Sequence, residues 1–291
     1  MKIKHVLGNT FYFDFPGLSI PFYQLDAGRI ILLDGGYARN AGQILEYLHG
    51  NEIRIEAILH THAHPDHING DHVFLGQFSP DPGIFCSQRD FEFMLGRRRE
   101  SEKEISEHDE YQSEDNLAYM EALIGKIQDI GDKEAVTICG KTFRLLSSTG
   151  HCLQHQAIVT PDDVCYLGDL LLHGKTLAVS KAPYTFQITD DVASKRELST
   201  LHHKAYIAAH DGDFRQEELL PLIDVNVEIF NHILREVARL EEAEPSLEII
   251  DATRELLETI GIHKYADINW VLSTIGQYFE YYQKYHVGEF L

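Results

Sequence analysis

Apolar, aromatic and β-branched residues crowd into short runs along the first third of the chain. Thr10–Phe15 (TFYFDF), Ser19–Leu25 (SIPFYQL), Arg29–Asp34 (RIILLD) and Ile53–His60 (IRIEAILH) carry them, with AGR and DGG as punctuation. Runs of this kind bounded by turn residues predict strands. From Gln88 to Ile130 the pattern turns helical and highly charged around RRRESEKEISEHDEYQSED. Strand signals return in AVTICG, KTFRLLSS, QAIVTPDDVCYLGD and AYIAAHDG. From Pro221 onward Leu222, Val225, Ile229, Ile233, Val237 and Leu240 recur at helical spacing. Trp270, Val271, Ile275, Tyr278, Phe279 and Tyr282 do the same, with EEAEPSLE separating the two stretches. The reading is an α/β chain: a large domain over 1–220 with a charged helical insert at about 88–130, then a helical region over 221–291.

Composition narrows the functional classes. The chain has 291 residues and 44% hydrophobic content, enough to bury a substantial core. Its longest apolar runs, such as Ile30–Leu33, are far too short to cross a bilayer, and the N-terminus lacks the apolar core of a signal peptide. Cys86, Cys139, Cys152 and Cys165 are widely spaced with no C-x-x-C pair, which points to reduced thiols in the cytoplasm. The formal charge of −21 opposes binding to nucleic acid or anionic membranes and favours a neutral or cationic small-molecule substrate.

One stretch carries the chemistry. LHTHAHPDHING packs four histidines and an aspartate between His60 and His67. Crowded imidazoles repel one another when protonated, so a metal is the natural reason to tolerate them. In an extended segment residues two apart point the same way, so His62 and His64 can share one ion. Asp66 and His67 point elsewhere and suit a second. Neutral imidazole and carboxylate are fitting ligands for a borderline cation such as zinc, with iron or manganese as alternatives.

THAHPDH, Thr61 to His67, resembles the signature of the metallo-β-lactamase superfamily. The remaining ligands that this family uses have counterparts in order along the chain. His151 lies in SSTGHCLQHQAIV, with Thr149 where the family usually has proline; Asp169 lies in VCYLGDLLL, and His210 in AYIAAHDGDF. The resemblance covers about the first 220 residues. It implies a four-layer αβ/βα sandwich and two divalent ions. His62, His64 and His151 would hold the first, Asp66, His67 and His210 the second, and Asp169 would bridge them. His60 reads as a strand-end residue, His155 as a partner to a ligand, and His173 and Cys152 as neighbours of the motifs.

Two such ions about 3.5–4 Å apart can acidify a shared water to hydroxide at neutral pH, and Asp66 and Asp169 are the carboxylates at that centre. Hydrolysis is the expected reaction. Asp169 argues against true β-lactamases, which generally lack it, and His64 against the diiron oxygen-reducing branch, which has glutamate there. The 41 residues from Asp169 to His210 leave no room for the cap domain of the nucleic-acid-processing branch. Thioester and lactone hydrolysis come first, phosphodiester hydrolysis second, and a metal-binding sensor or scaffold is the reading from another class.

The tail over 221–291 resembles the winged-helix-like appendage of some superfamily hydrolases. It holds 5 Lys plus Arg against 13 Asp plus Glu, which favours a cap over the site or a homodimer contact above a DNA reader. Arg97, Arg98 and Arg99 form the only basic cluster, read as a solvated helix face or as an anchor for an anionic substrate tail.

Overall fold

The computed structural model describes residues 1–101, 120–121, 123–244, 246–262 and 268–290. Two sheets stack in its centre. The first contains β1 (Lys2–Leu7), β2 (Thr10–Phe15), β3 (Leu18–Asp26), β4 (Arg29–Leu33), β5 (Arg54–Leu59), β6 (Gly83–Cys86) and β7 (Ile127–Asp129), in sequence order. Its first four strands run antiparallel and β4 to β7 run parallel. The second contains β8 (Ala135–Ile138), β9 (Lys141–Ser147), β10 (Gln156–Val159), β11 (Val164–Tyr166), β12 (Ala205–Ala208) and β13 (Gly212–Phe214), in the order β13-β12-β11-β10-β9-β8. Only β11 and β12 pair parallel in it.

Central strands such as β4 and β12 are apolar on both faces because both faces are covered. In β4, Ile31 and Leu33 turn to the layer between the sheets, while Ile30 and Leu32 turn outward. In β12, Ala205 and Ile207 face inward while Tyr206 and Ala208 face the other way. This period-2 division yields three apolar layers: one between the sheets and one outside each. Helices α1 (Ala38–Gly50), α2 (Pro65–Ile68), α3 (Asp71–Phe74) and α4 (Gln88–Ser101) follow strands of the first sheet, and Ile44, Leu48, Ile68, Phe74 and Phe91 pack on its outer face. Helices α5 (Gly174–Val179), α6 (Ile188–Glu197), α7 (Gln216–Ala243), α8 (Ile249–Thr259) and α9 (Ile268–Tyr285) follow β11 or later strands. Phe230, Ile233, Leu256, Ile275 and Tyr278 share one core with Ala157, Cys165 and Tyr206 of the second sheet. The result is the four-layer αβ/βα sandwich.

Several details depart from the pattern reading. β1 and α1 add a strand and a helix to the first third, and β6 and β7 flank the insert, so the end of the helical stretch drawn to Ile130 is a strand. Pro221 lies inside α7, which begins at Gln216, so the division drawn after residue 220 falls within a continuous helix. The stripe on that helix holds at Leu222, Ile233 and Val237, which are buried, and fails at one position. Val225 is 50% exposed, whereas Asn226, Val227 and Phe230 are buried. Among the described residues no strand follows β13, so the tail shows helices without a wing. All four cysteines are free, and no described helix is long and apolar enough to cross a membrane. The side chains of Arg97, Arg98 and Arg99, the basic cluster of the insert, lie outside the described residues.

Candidate metal centre

Ligand-bearing segments leave the C-terminal ends of five strands on one edge of the sandwich. β5 ends at Leu59 and delivers His62, His64, Asp66 and His67; β9 precedes His151, β11 precedes Asp169, and β12 precedes His210. β4 ends at Leu33 and delivers Asp34 to the same place. Carboxyl ends of neighbouring strands are where open α/β sheets gather their ligands. The motif is not extended throughout: His64 caps α2, whose helical turn carries Asp66 and His67, so the alternation that relates His62 to His64 stops there.

Two tight backbone approaches hold the segments. A Cβ on Gly70 would lie 2.1 Å from the carbonyl oxygen of Gly35, so only glycine lets the motif's end approach the β4 turn. Gly150 has φ +119°, and a Cβ there would meet the Asp191 amide at 2.0 Å, so the His151 loop can lie directly on α6.

The seven predicted residues converge. Donor atoms of His62, His64, His151 and Asp169 lie within 4.8 Å of one another, and so do those of Asp66, Asp169 and His210. Asp169 belongs to both groups. Its Oδ2 is 3.4 Å from His151 Nε2, while its Oδ1 is 3.4 Å from both His67 Nε2 and His210 Nε2. Asp66 Oδ2 lies 3.7 Å from the same two imidazole nitrogens. His62 stands at the centre, its ring centroid 4.5 Å from His64, 4.0 Å from His67 and 5.0 Å from His151.

These groups fit divalent cations. His62 Nε2, His67 Nε2 and Asp169 Oδ1 are buried and have no hydrogen-bond partner in the protein, an arrangement that is costly unless something else satisfies them. The far side of the imidazoles is already fixed: His67 Nδ1 donates to Asp34 Oδ2 at 2.7 Å, and His210 Nδ1 donates to the Gly17 carbonyl at 2.7 Å. In the neutral imidazole both bonds leave Nε2 as the lone-pair nitrogen pointing into the centre, the arrangement that metal-ligating histidines use.

The electrostatics agree. Burial, followed by the neighbouring imidazoles, holds His62 and His151 well below the usual histidine range, so both present lone pairs at neutral pH. Burial also opposes a proton on His67 and His210, yet nearby carboxylates outweigh it, lifting His67 well above its usual range and His210 to about 9. The field that favours a proton there favours any cation. Burial would keep Asp169 protonated, but His210 and His67 hold it as a carboxylate.

The family assignment follows from sequence over most of the fold. A family model described as the metallo-beta-lactamase superfamily matches residues 22–210. The chain belongs to the metallo-beta-lactamase superfamily. Among solved structures, a metallo-beta-lactamase family protein from Thermus thermophilus is similar with TM-score 0.63 and 18% identity, over 95% of this chain and 93% of its own. A beta-lactamase domain protein from Burkholderia ambifaria is similar with TM-score 0.64 and 16% identity, over 95% of this chain and 85% of its own. A metallo-beta-lactamase from Pontibacter korlensis gives 0.53 and 13%, over 78% and 97%. At these identities the likeness is one of fold. No curated protein matches in sequence.

As a superfamily member the chain also carries supporting residues, of which Asp34 and Asp90 were not singled out by the pattern. Asp34, with φ +65°, accepts from the Thr61 amide and hydroxyl at 2.9 Å each, from Tyr166 at 2.7 Å and from His67. His60 is more than a strand-end residue with an ordinary bond: it is fully buried, 2.9 Å from Asp71 and 3.4 Å from Asp34. Burial opposes its proton, but those two carboxylates raise it to about 9. His155 accepts from the Asp169 amide at 3.2 Å and lies 2.7 Å from the Ser148 hydroxyl, which sets the bridging loop. Asp90, buried on α4, accepts from the amides of Ala63 at 2.8 Å and Gln154 at 3.3 Å, tying the HxHxDH loop to the His151 loop. His173 turns away to Asp211 and Phe214, and burial pushes the Cys152 thiol well above its usual range, so neither joins the donors. DGG and LGD were the local signals for Asp34 and the β11 turn; Asp90 has none.

Proposed function

We propose that the protein is a dinuclear metal-dependent hydrolase of small molecules with an activated carbonyl, thioesters and lactones first. The observation that carries this reading is Asp169, whose two oxygens face two separate sets of imidazoles at 3.4 Å. Under this reading His62, His64 and His151 hold one cation, Asp66, His67 and His210 the other, and Asp169 spans both. Bound divalent cations would supply Lewis acidity and lower the pKa of water toward neutrality.

The chain's own residues do the rest. Asp34 and the Gly17 carbonyl keep His67 and His210 in the tautomer that offers Nε2. His155 fixes the Asp169 backbone, so the bridging carboxylate need not reorganise during turnover. The donors are unequally covered: Asp66 and His210 side chains are 17% and 21% exposed, against 9% for Asp169. Substrate therefore reaches the centre over the Asp66–His210 side. Asp66 is the carboxylate on that side, and its oxygen that does not face the imidazoles would accept a proton from an incoming water.

The surroundings favour a neutral electrophile. Among the described residues no lysine or arginine is ion-paired with Asp66 or Asp169, and Tyr184 packs against the first group of imidazoles. A phosphodiester would bring negative charge to a chain of formal charge −21, with no described lysine or arginine beside those carboxylates to add to the charge of the bound cations. The test is a panel of thioesters, lactones, phosphodiesters and β-lactams on protein of measured metal content. Turnover of thioesters or lactones above the others supports the proposal; exclusive phosphodiester turnover, or none with the site loaded, overturns it.

A further inference from the structure

Asp66 and His210 are the most exposed donors of the second group, and an aromatic ring stands over the first group of imidazoles. Tyr184 lies 5.3 Å from His64 and 5.5 Å from His151, centroid to centroid, at 63° and 90° to them. That is one van der Waals layer from two of the donors. A molecule whose reacting carbonyl sits at the donors therefore has its non-reacting portion within reach of this ring. Two residues further along, Phe186 packs edge-on against Phe93 of α4 at 5.1 Å, which continues the apolar character of the segment.

The segment carrying Tyr184 is fastened immediately after it, over residues 185–188, by two partners. The Thr185 hydroxyl and the amides of Phe186 and Gln187 all donate to the Gly150 carbonyl at 2.9 Å, one residue before His151. From the other side Gln277 of α9 accepts from the Ile188 amide at 2.8 Å, and its Nε2 donates to the Thr185 carbonyl at 3.3 Å. The C-terminal helix is thus joined through this segment to the backbone of a metal-donor loop.

We propose that Tyr184 is the specificity-determining wall of the site, receiving an aryl or bulky apolar group of the substrate, and that Gln277 is the positioning residue that holds it there. The proposal rests on the cation-holding reading above. It gives the helical tail a role in substrate choice.

Carboxylate products serve as probes that need no turnover. Phenylacetate and acetate are titrated by calorimetry into metal-loaded protein, with metal content measured on every variant. Wild type is expected to bind phenylacetate at least about tenfold more tightly than acetate, the order expected for one aromatic contact with its buried area. Tyr184→Phe retains that ratio, and Tyr184→Ala, compared at equal metal loading, brings it near one. Gln277→Ala lowers the ratio in the same way; a purely structural glutamine would lower the melting temperature and leave the ratio alone. A loaded wild type with no preference, or a preference that survives in Tyr184→Ala, overturns the proposal. A protein that takes up no metal overturns the reading beneath it instead.

Discussion

Replacing Asp34 with asparagine tests whether the centre depends on the tautomer of one histidine. The change conserves shape, and asparagine tolerates the positive φ of +65° at this position. Its effect follows from which atoms can reverse roles. Asp34 Oδ1 accepts from the Thr61 amide, which can only donate, so the carboxamide oxygen must remain there. The NH2 group then replaces Oδ2, where it meets Thr61 Oγ, Tyr166 OH and His67 Nδ1. The two hydroxyls can turn to accept. His67 can accept at Nδ1 only by moving its proton to Nε2, the nitrogen that faces Asp66 and Asp169. Loss of such a partner typically weakens metal binding ~10–100-fold, about 1.4–2.7 kcal/mol. The loss should fall on the cation of the Asp66–His67–His210 group and spare the other. Calorimetric metal titration resolves two binding steps, and elemental analysis after dialysis reports retention. Two steps of wild-type affinity in Asp34→Asn would refute the tautomer argument.

The bridging and supporting carboxylates give two further outcomes. Asp169→Asn keeps volume and removes the charge between the two groups, so the second cation should bind more weakly and kcat should fall at least ~10²-fold, about 2.7 kcal/mol; steady-state kinetics with metal analysis checks this. Asp90→Ala leaves the buried Ala63 amide and the Gln154 amide without their acceptor. Chemical denaturation should show a loss of about 1–3 kcal/mol for each amide left unpaired, together with weaker metal binding because two donor loops are released.

The donors were legible because this family keeps them in short local patterns at strand ends: HxHxDH after β5, His151 after β9, Asp169 after β11 and His210 after β12. What escaped notice has physical reasons. Helix α1 carries Ala41, Ile44 and Leu48 at helical spacing, but its N-cap is Tyr37, which makes no side-chain cap bond, and strands surround it. β7 is three residues long and exists by pairing with β6, which no local pattern foretells. On α7 the predicted stripe includes Val225, which is exposed, and omits Val227 and Phe230, which share the core with the second sheet. The supporting network is the least local feature. Asp34 meets Tyr166 across 132 residues, and Gln277 meets Thr185 across 92.

Metal analysis combined with chelation is the most direct test of the central claim. Purified protein should carry up to two transition-metal ions per chain, zinc being the leading candidate and iron or manganese the alternatives. A strong chelator should abolish hydrolysis of the best substrate from the panel, and adding back zinc, iron or manganese should restore it. Protein that contains no transition metal, binds none on titration and hydrolyses that substrate unchanged in the presence of chelator would contradict the account.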